Sequence, residues 1–127
     1  MKVYGVDHVQ LAIPANGESQ ARQFYGELLG LPEIAKPPNL ASRGGAWFQC
    51  GALQLHLGVD IDFRPAKKAH PAFLVRDLPH LIEALRSAGY DVTFDVERVA
   101  GFERAFTVDP FGNRIELLQP TAAGSVR

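Results

Sequence analysis

The sequence predicts an α+β fold: two βαβββ repeats forming a curved mixed sheet around a cleft. Three observations carry this. Strand-period and helix-period patterns follow one another in the order strand, helix, strand, strand, strand, and the order occurs twice. The polar residues set into the strands repeat in register: His8 to His70 and Gln54 to Glu116 are both 62 positions apart. Finally, the run Asp109-Pro110-Phe111-Gly112-Asn113-Arg114-Ile115-Glu116-Leu117-Leu118 reads as a tight turn feeding a strand with a carboxylate in its middle. Such a carboxylate is costly to bury without a partner.

A chain of 127 residues with 46% hydrophobic and 21% charged residues is one ordinary domain able to bury a core. A net charge of −1 gives no electrostatic case for nucleic acid or an anionic membrane. The apolar runs are too short to span a bilayer, and residues 1–5 lack the apolar core of a signal peptide, so a cytoplasmic location is expected. Cys50 is the only cysteine, which excludes an internal disulfide and a cysteine-based zinc site.

In the first repeat, about residues 5–59, residues 6–13 alternate. Val9, Leu11 and Ile13 form an apolar face; His8, Gln10 and Ala12 form the other. Asn16 is the expected cap of a helix whose stripe is Ala21, Phe24, Tyr25, Leu28 and Leu29, with Gly30 as its stop. Residues 31–36 read as a short strand and residues 37–45 as a loop rich in proline and glycine. Residues 46–50 and 52–59 are two strands about a Gly51 turn. In the second of them Leu53, Leu55 and Leu57 face the core, while Gln54 and His56 share the other face.

Residues 60–68 break the periodicity and form the linker. The second repeat, about residues 69–119, opens with a strand at 69–75 carrying His70, Ala72 and Leu74 on one face. Asp77 caps a helix with the stripe Leu78, Leu81, Ile82 and Leu85; Pro79 sits harmlessly in its first turn, and Gly89 stops it. Residues 91–96, 104–109 and 113–119 supply three further strands, and residues 121–127 a loose tail.

The helix of each repeat covers the apolar face of its sheet, so the polar faces line the cleft. This brings His8, Gln54, His70 and Glu116 together, with His56 close by. Two imidazoles and a carboxylate form a ligand set for a divalent metal such as Fe, Mn, Co, Ni or Zn. The bland alternative is a histidine merely hydrogen-bonded in a polar cleft, with Glu116 paired to Arg114 or a lysine. The fourth ligand stays open: Gln54 by repeat register, His56 by chemistry, with a bulge near Gly58 able to exchange them.

The repeat, the two strand-opening histidines and the closing Asp-Pro-Phe-Gly-Asn-Arg-Ile-Glu-Leu resemble the vicinal oxygen chelate superfamily over about residues 5–119. That superfamily includes glyoxalase I, extradiol dioxygenases, methylmalonyl-CoA epimerase, and fosfomycin and bleomycin resistance proteins. The resemblance implies metal ligands at His8, His70 and Glu116, with Glu or Gln at the place of Gln54. It also implies an isomerase, lyase or related enzyme acting on a small substrate with vicinal oxygens, and a homodimer. Glu116 is the carboxylate available to move a proton. Two departures separate the chain from named activities. Gln54 cannot act as the base that glyoxalase I carries there, and Ala69 precedes His70 where the epimerase has paired histidines. The alternatives are a metal-free drug-binding protein of the bleomycin-resistance kind and an Fe(II) extradiol-type dioxygenase.

Among other residues, Arg43, Arg64, Lys67, Lys68 and Arg104 are read as surface charge or as contacts to an anionic substrate. Trp47 and Phe48 straddle a strand, one facing the core and one the cleft. Phe102, Phe106 and Phe111 form core or pocket wall. Tyr25 and Cys50 are core residues.

Overall fold

A computed structural model describes residues 1–122; of the tail expected at 121–127, residues 123–127 lie outside the described residues. The chain divides into two compact units, Met1–Pro65 and Ala66–Arg127. Each unit carries one small mixed sheet, so the fold class is α+β, as the alternating patterns imply. No helix among the described residues is long and apolar enough to cross a membrane.

The first unit contains strands β1 (His8–Ile13), β2 (Glu33–Ile34), β3 (Ala46–Cys50) and β4 (Leu53–Val59) in the order β1-β4-β3-β2. β1 runs parallel to β4, and β3 and β4 form the antiparallel hairpin about Gly51. Pairing of β1 with β4 runs unbroken from His8↔Gln54 to Ile13↔Val59, so no bulge near Gly58 rotates the strand. The helix is less regular than its stripe suggests. One α-turn, α1 (Glu18–Ala21), passes into a π-helical segment, Arg22–Leu28, in which the Leu29 amide reaches the Phe24 carbonyl. Ala21, Phe24 and Tyr25 are nonetheless fully buried, together with Phe48. Each large side chain so removed from water contributes roughly 1.5–3 kcal/mol. Asn16 does not cap this helix. It adopts φ 65° in the preceding turn, and Gly17 takes the cap position with no side-chain hydrogen bond.

The loop before β3 is held from two sides. Glu18 Oε2 accepts a 2.8 Å hydrogen bond from the Gly45 amide, and Lys36 Nζ donates to the Gly44 carbonyl. Gly45 has φ 81°, and a Cβ there would stand 2.0 Å from the Leu57 carbonyl oxygen, so this position admits only glycine.

The second unit has strands β5 (Ala72–Leu74), β6 (Phe102–Val108) and β7 (Arg114–Pro120) in the order β5-β7-β6, with β5 parallel and β6 antiparallel to β7. Helix α2 (Leu78–Ser87) begins as its pattern requires: Asp77 accepts a hydrogen bond from the His80 amide, and Leu78, Ile82 and Leu85 face the core. The strand expected at residues 91–96 is reduced to one bridge, Thr93↔Phe106. Phe94 and Val96 are exposed, so alternation there has no second layer to bury.

Candidate functional site

Each unit presents its own group of polar side chains on the sheet face opposite the helix. In the second unit the turn at Asp109 aims it. Asp109, buried, accepts bonds of 2.9 Å from the amides of Phe111 and Asn113 and from the Asn113 side chain; Gly112 supplies φ 93°. Asn113 Oδ1 in turn accepts from the Ala66 amide, and the Arg114 amide donates to the Ala66 carbonyl. The turn thus locks the start of β7 to the chain leading into β5 and sets the phase of the strand: Ile115 and Leu117 are fully buried, and Glu116 points the other way.

Glu116 is 9% exposed and has two partners. Its Oε1 lies 2.8 Å from His70 Nε2, and its Oε2 accepts a 3.2 Å hydrogen bond from Arg104 Nε. The sequence pointed to Arg114 or a lysine as the ion-pair partner; the partner is Arg104, which reaches across from β6. Arg104, with a side chain only 18% exposed, is therefore not a solvated surface charge. No sequence spacing marks it, because cross-strand neighbours depend on where the hairpin folds. Arg114 instead lays its guanidinium over the Phe106 ring at 4.3 Å.

His70 Nδ1 lies 2.7 Å from the Lys68 carbonyl oxygen. A carbonyl only accepts, so Nδ1 carries the proton and Nε2 is the nitrogen left facing Glu116. A lone pair and a carboxylate oxygen 2.8 Å apart require a cation between them, either a proton or a metal.

The first unit gathers His8, Gln54, His56 and Trp47. His8 Nδ1 lies 2.9 Å from Asp7 Oδ2, again leaving Nε2 as the free nitrogen. The His56 ring is stacked between His8 at 4.1 Å and Trp47 at 3.6 Å, and its Nε2 lies 2.9 Å from Gln54 Oε1. Burial, reinforced by the neighbouring His8, lowers the pKa of His56 below its ordinary value, which favours the neutral ring. Trp47 is thus the member of the Trp47–Phe48 pair on the polar face, and Phe48 is the core residue.

Sheet register distinguishes the two candidates for fourth ligand. In the first unit Gln54 lies opposite His8 and His56 opposite Gln10; in the second, Glu116 lies opposite Ala72, two residues beyond His70. The repeat offset is 62 for the histidines, but pairing makes it 60 on the last strands. The position equivalent to Glu116 is then His56, where counting along the sequence had matched Gln54. Among the described residues no group of three or more His, Cys, Asp or Glu side chains is arranged to hold a metal ion, and the candidate ligands occur as pairs within each unit.

Comparison with functionally curated proteins finds no match. Among solved structures, the chain is similar to a protein assigned to the glyoxalase family from Bacillus anthracis, with 45% identity, TM-score 0.89, and coverage of 95% of this chain and 98% of that one. The fosfomycin resistance protein FosX of Listeria monocytogenes (16% identity, TM-score 0.75, coverage 96% and 98%) shares the fold. So does lactoylglutathione lyase of Agrobacterium tumefaciens (18%, TM-score 0.70, coverage 94% and 96%). A family model matches residues 5–117, nearly the whole chain. The chain belongs to the Glyoxalase/Bleomycin resistance protein/Dioxygenase superfamily.

Proposed function

We propose that this protein is a divalent-metal-dependent enzyme acting on a small substrate with vicinal oxygens, by isomerisation, lyase or related chemistry. The observation that carries the reading is the His70–Glu116 pair, with Nδ1 of His70 tied to a backbone carbonyl and Nε2 turned to the carboxylate. Metal-binding histidines characteristically donate their second ring N–H in this way. The donor chemistry fits: imidazole nitrogens and a carboxylate suit Ni, Zn, Fe, Mn or Co. His70, Glu116 and His8 are the proposed ligands, with a fourth from the Gln54–His56 pair. Strand register and the lowered pKa of His56 support His56.

When bound, the metal would supply Lewis acidity to the substrate oxygens. The protein's own residues do the rest. The Lys68 carbonyl and the Asp7 carboxylate hold the histidines in the required tautomer, and the hydrogen bond from Arg104 orients Glu116. Glu116 is the group proposed to take and return the substrate proton at a carboxylate oxygen. A homodimer is proposed as the working form. The similarity to FosX and to lactoylglutathione lyase, proteins whose names specify resistance and lyase functions, supports a small-molecule substrate without choosing one.

The test is elemental analysis of protein purified without chelator or a metal-binding tag, beside a His8→Ala/His70→Ala double variant. About one transition metal per chain, lost in the double variant, is the expected result. Absence of metal, with no uptake of Ni, Zn, Mn or Fe(II), would overturn the reading in favour of metal-free ligand binding.

A further inference from the structure

We infer that Arg114 is the binding residue for an anionic group on the substrate, a carboxylate or phosphonate carried by the molecule whose vicinal oxygens meet the metal. The inference deepens the metal-enzyme reading and rests on it for the other end of the substrate.

Arg114 and Glu116 stand two residues apart on β7 and project from the same face, about 7 Å apart along the strand. Across the hairpin Phe106 lies directly opposite Glu116 and is 7% exposed. Two guanidinium groups flank its ring, Arg114 at 4.3 Å and Arg104 at 5.1 Å. Their charges are used differently. Arg104 is committed to Glu116 at 3.2 Å and also lies 3.9 Å from Asp95. Among the described residues, Arg114 has no carboxylate within ion-pair distance, and only its backbone amide is spent, on Ala66.

The contact with Phe106 holds the Arg114 guanidinium over the ring and leaves its N–H groups for a bidentate acceptor. It also opens onto a cavity of about 660 Å³ in this unit, large enough for a small molecule. Lys67 lines the same cavity and adds a second positive charge; Asp91 and Asp95 line it as well, Asp95 being the carboxylate beside Arg104. Phe106 lines this cavity and is the residue opposite Glu116, so a substrate lying across its ring extends from the Arg114 guanidinium toward the Glu116 carboxylate. That geometry selects a compact anion with a flat or short spacer.

The test uses 3,4-dihydroxybenzoate and its methyl ester, which share the vicinal oxygens and differ in the anionic group, titrated calorimetrically into Ni(II)-loaded protein. The wild type is expected to bind the acid about tenfold more tightly than the ester, as one charge-assisted bidentate contact would give. Arg114→Gln is expected to erase the difference while leaving ester affinity unchanged, and Arg114→Lys to restore part of it. Equal affinities in the wild type, or a preference that survives in Arg114→Gln, would overturn the assignment. Metal content is measured in every sample, and the same pair is titrated into metal-free protein. An Arg114-dependent preference without bound metal supports the anion site while removing the metal reading; no preference and no metal removes both.

Discussion

His70 Nε2 lies 2.8 Å from Glu116 Oε1, although the sheet places Glu116 opposite Ala72 and not opposite His70. The contact is diagonal, reaching back two residues along a parallel pair. The His8–His56 stack in the first unit is the same diagonal, since His56 lies opposite Gln10. A diagonal contact needs long side chains on both strands, which imidazole and glutamate provide.

Arg104 neutralises a buried carboxylate, and its own side chain is only 18% exposed. Arg104→Met is expected to destabilise the fold by about 2 kcal/mol, because Glu116 then lacks its second partner. Urea unfolding of wild type and variant, both metal-free, measures this. A midpoint unchanged by the substitution would show the pair to be energetically idle.

The turn that aims β7 depends on one buried carboxylate accepting three hydrogen bonds. Asp109→Ala leaves these donors unsatisfied, and a loss of about 3 kcal/mol or more is expected. Asp109→Asn keeps some acceptors and should lose less. Thermal unfolding of the two variants gives the order.

Gly45 and Gly51 both have positive φ, but only Gly45 is crowded: a Cβ at Gly51 meets nothing within 4 Å. Gly45→Ala is expected to cost roughly 3 kcal/mol, from strain added to a backbone clash, and Gly51→Ala about 1 kcal/mol. Equal losses in denaturant unfolding would contradict the close approach of Gly45 to Leu57.

The hydrogen bond from Gly45 lowers the pKa of Glu18 below its ordinary 4.5. The folded value is the depressed one, so the stabilisation is fully present above about pH 4.5 and is lost as pH falls through the folded pKa. Wild type should therefore lose stability on acidification more steeply than Glu18→Gln in that window. Parallel stability–pH curves would mean the carboxylate gains nothing from the loop.

Trp47 is the only tryptophan and stacks on His56 with ring centroids 3.6 Å apart. Paramagnetic Ni(II) or Co(II) held by His56 is expected to quench its fluorescence, with one equivalent per chain sufficing. The quench should persist in Gln54→Ala and vanish in His56→Ala. The reverse pattern would make Gln54 the ligand.

Much of this was legible without coordinates. Period-two runs at residues 6–13, 46–50, 52–59 and 113–119 became β1, β3, β4 and β7 because each has a face of Ile, Leu, Phe or Val with a core to enter. Asp77 and Gly89 marked the ends of α2 because capping is local chemistry. Residues 91–96 failed the same test: their alternation is real, but apart from one bridge no partner strand completes it.

What the sequence determined by itself was the order of elements, the family resemblance and the set of polar side chains placed opposite the apolar faces, since periodicity dictates which side of a strand a residue occupies. Tertiary structure alone decided which of those side chains meet. Arg104 reached Glu116, Arg114 settled on Phe106, and the two-residue difference in register made His56, not Gln54, the counterpart of Glu116. Those outcomes depend on how strands slide against one another. Sliding by two residues preserves every face, so it leaves no mark on the pattern of the chain.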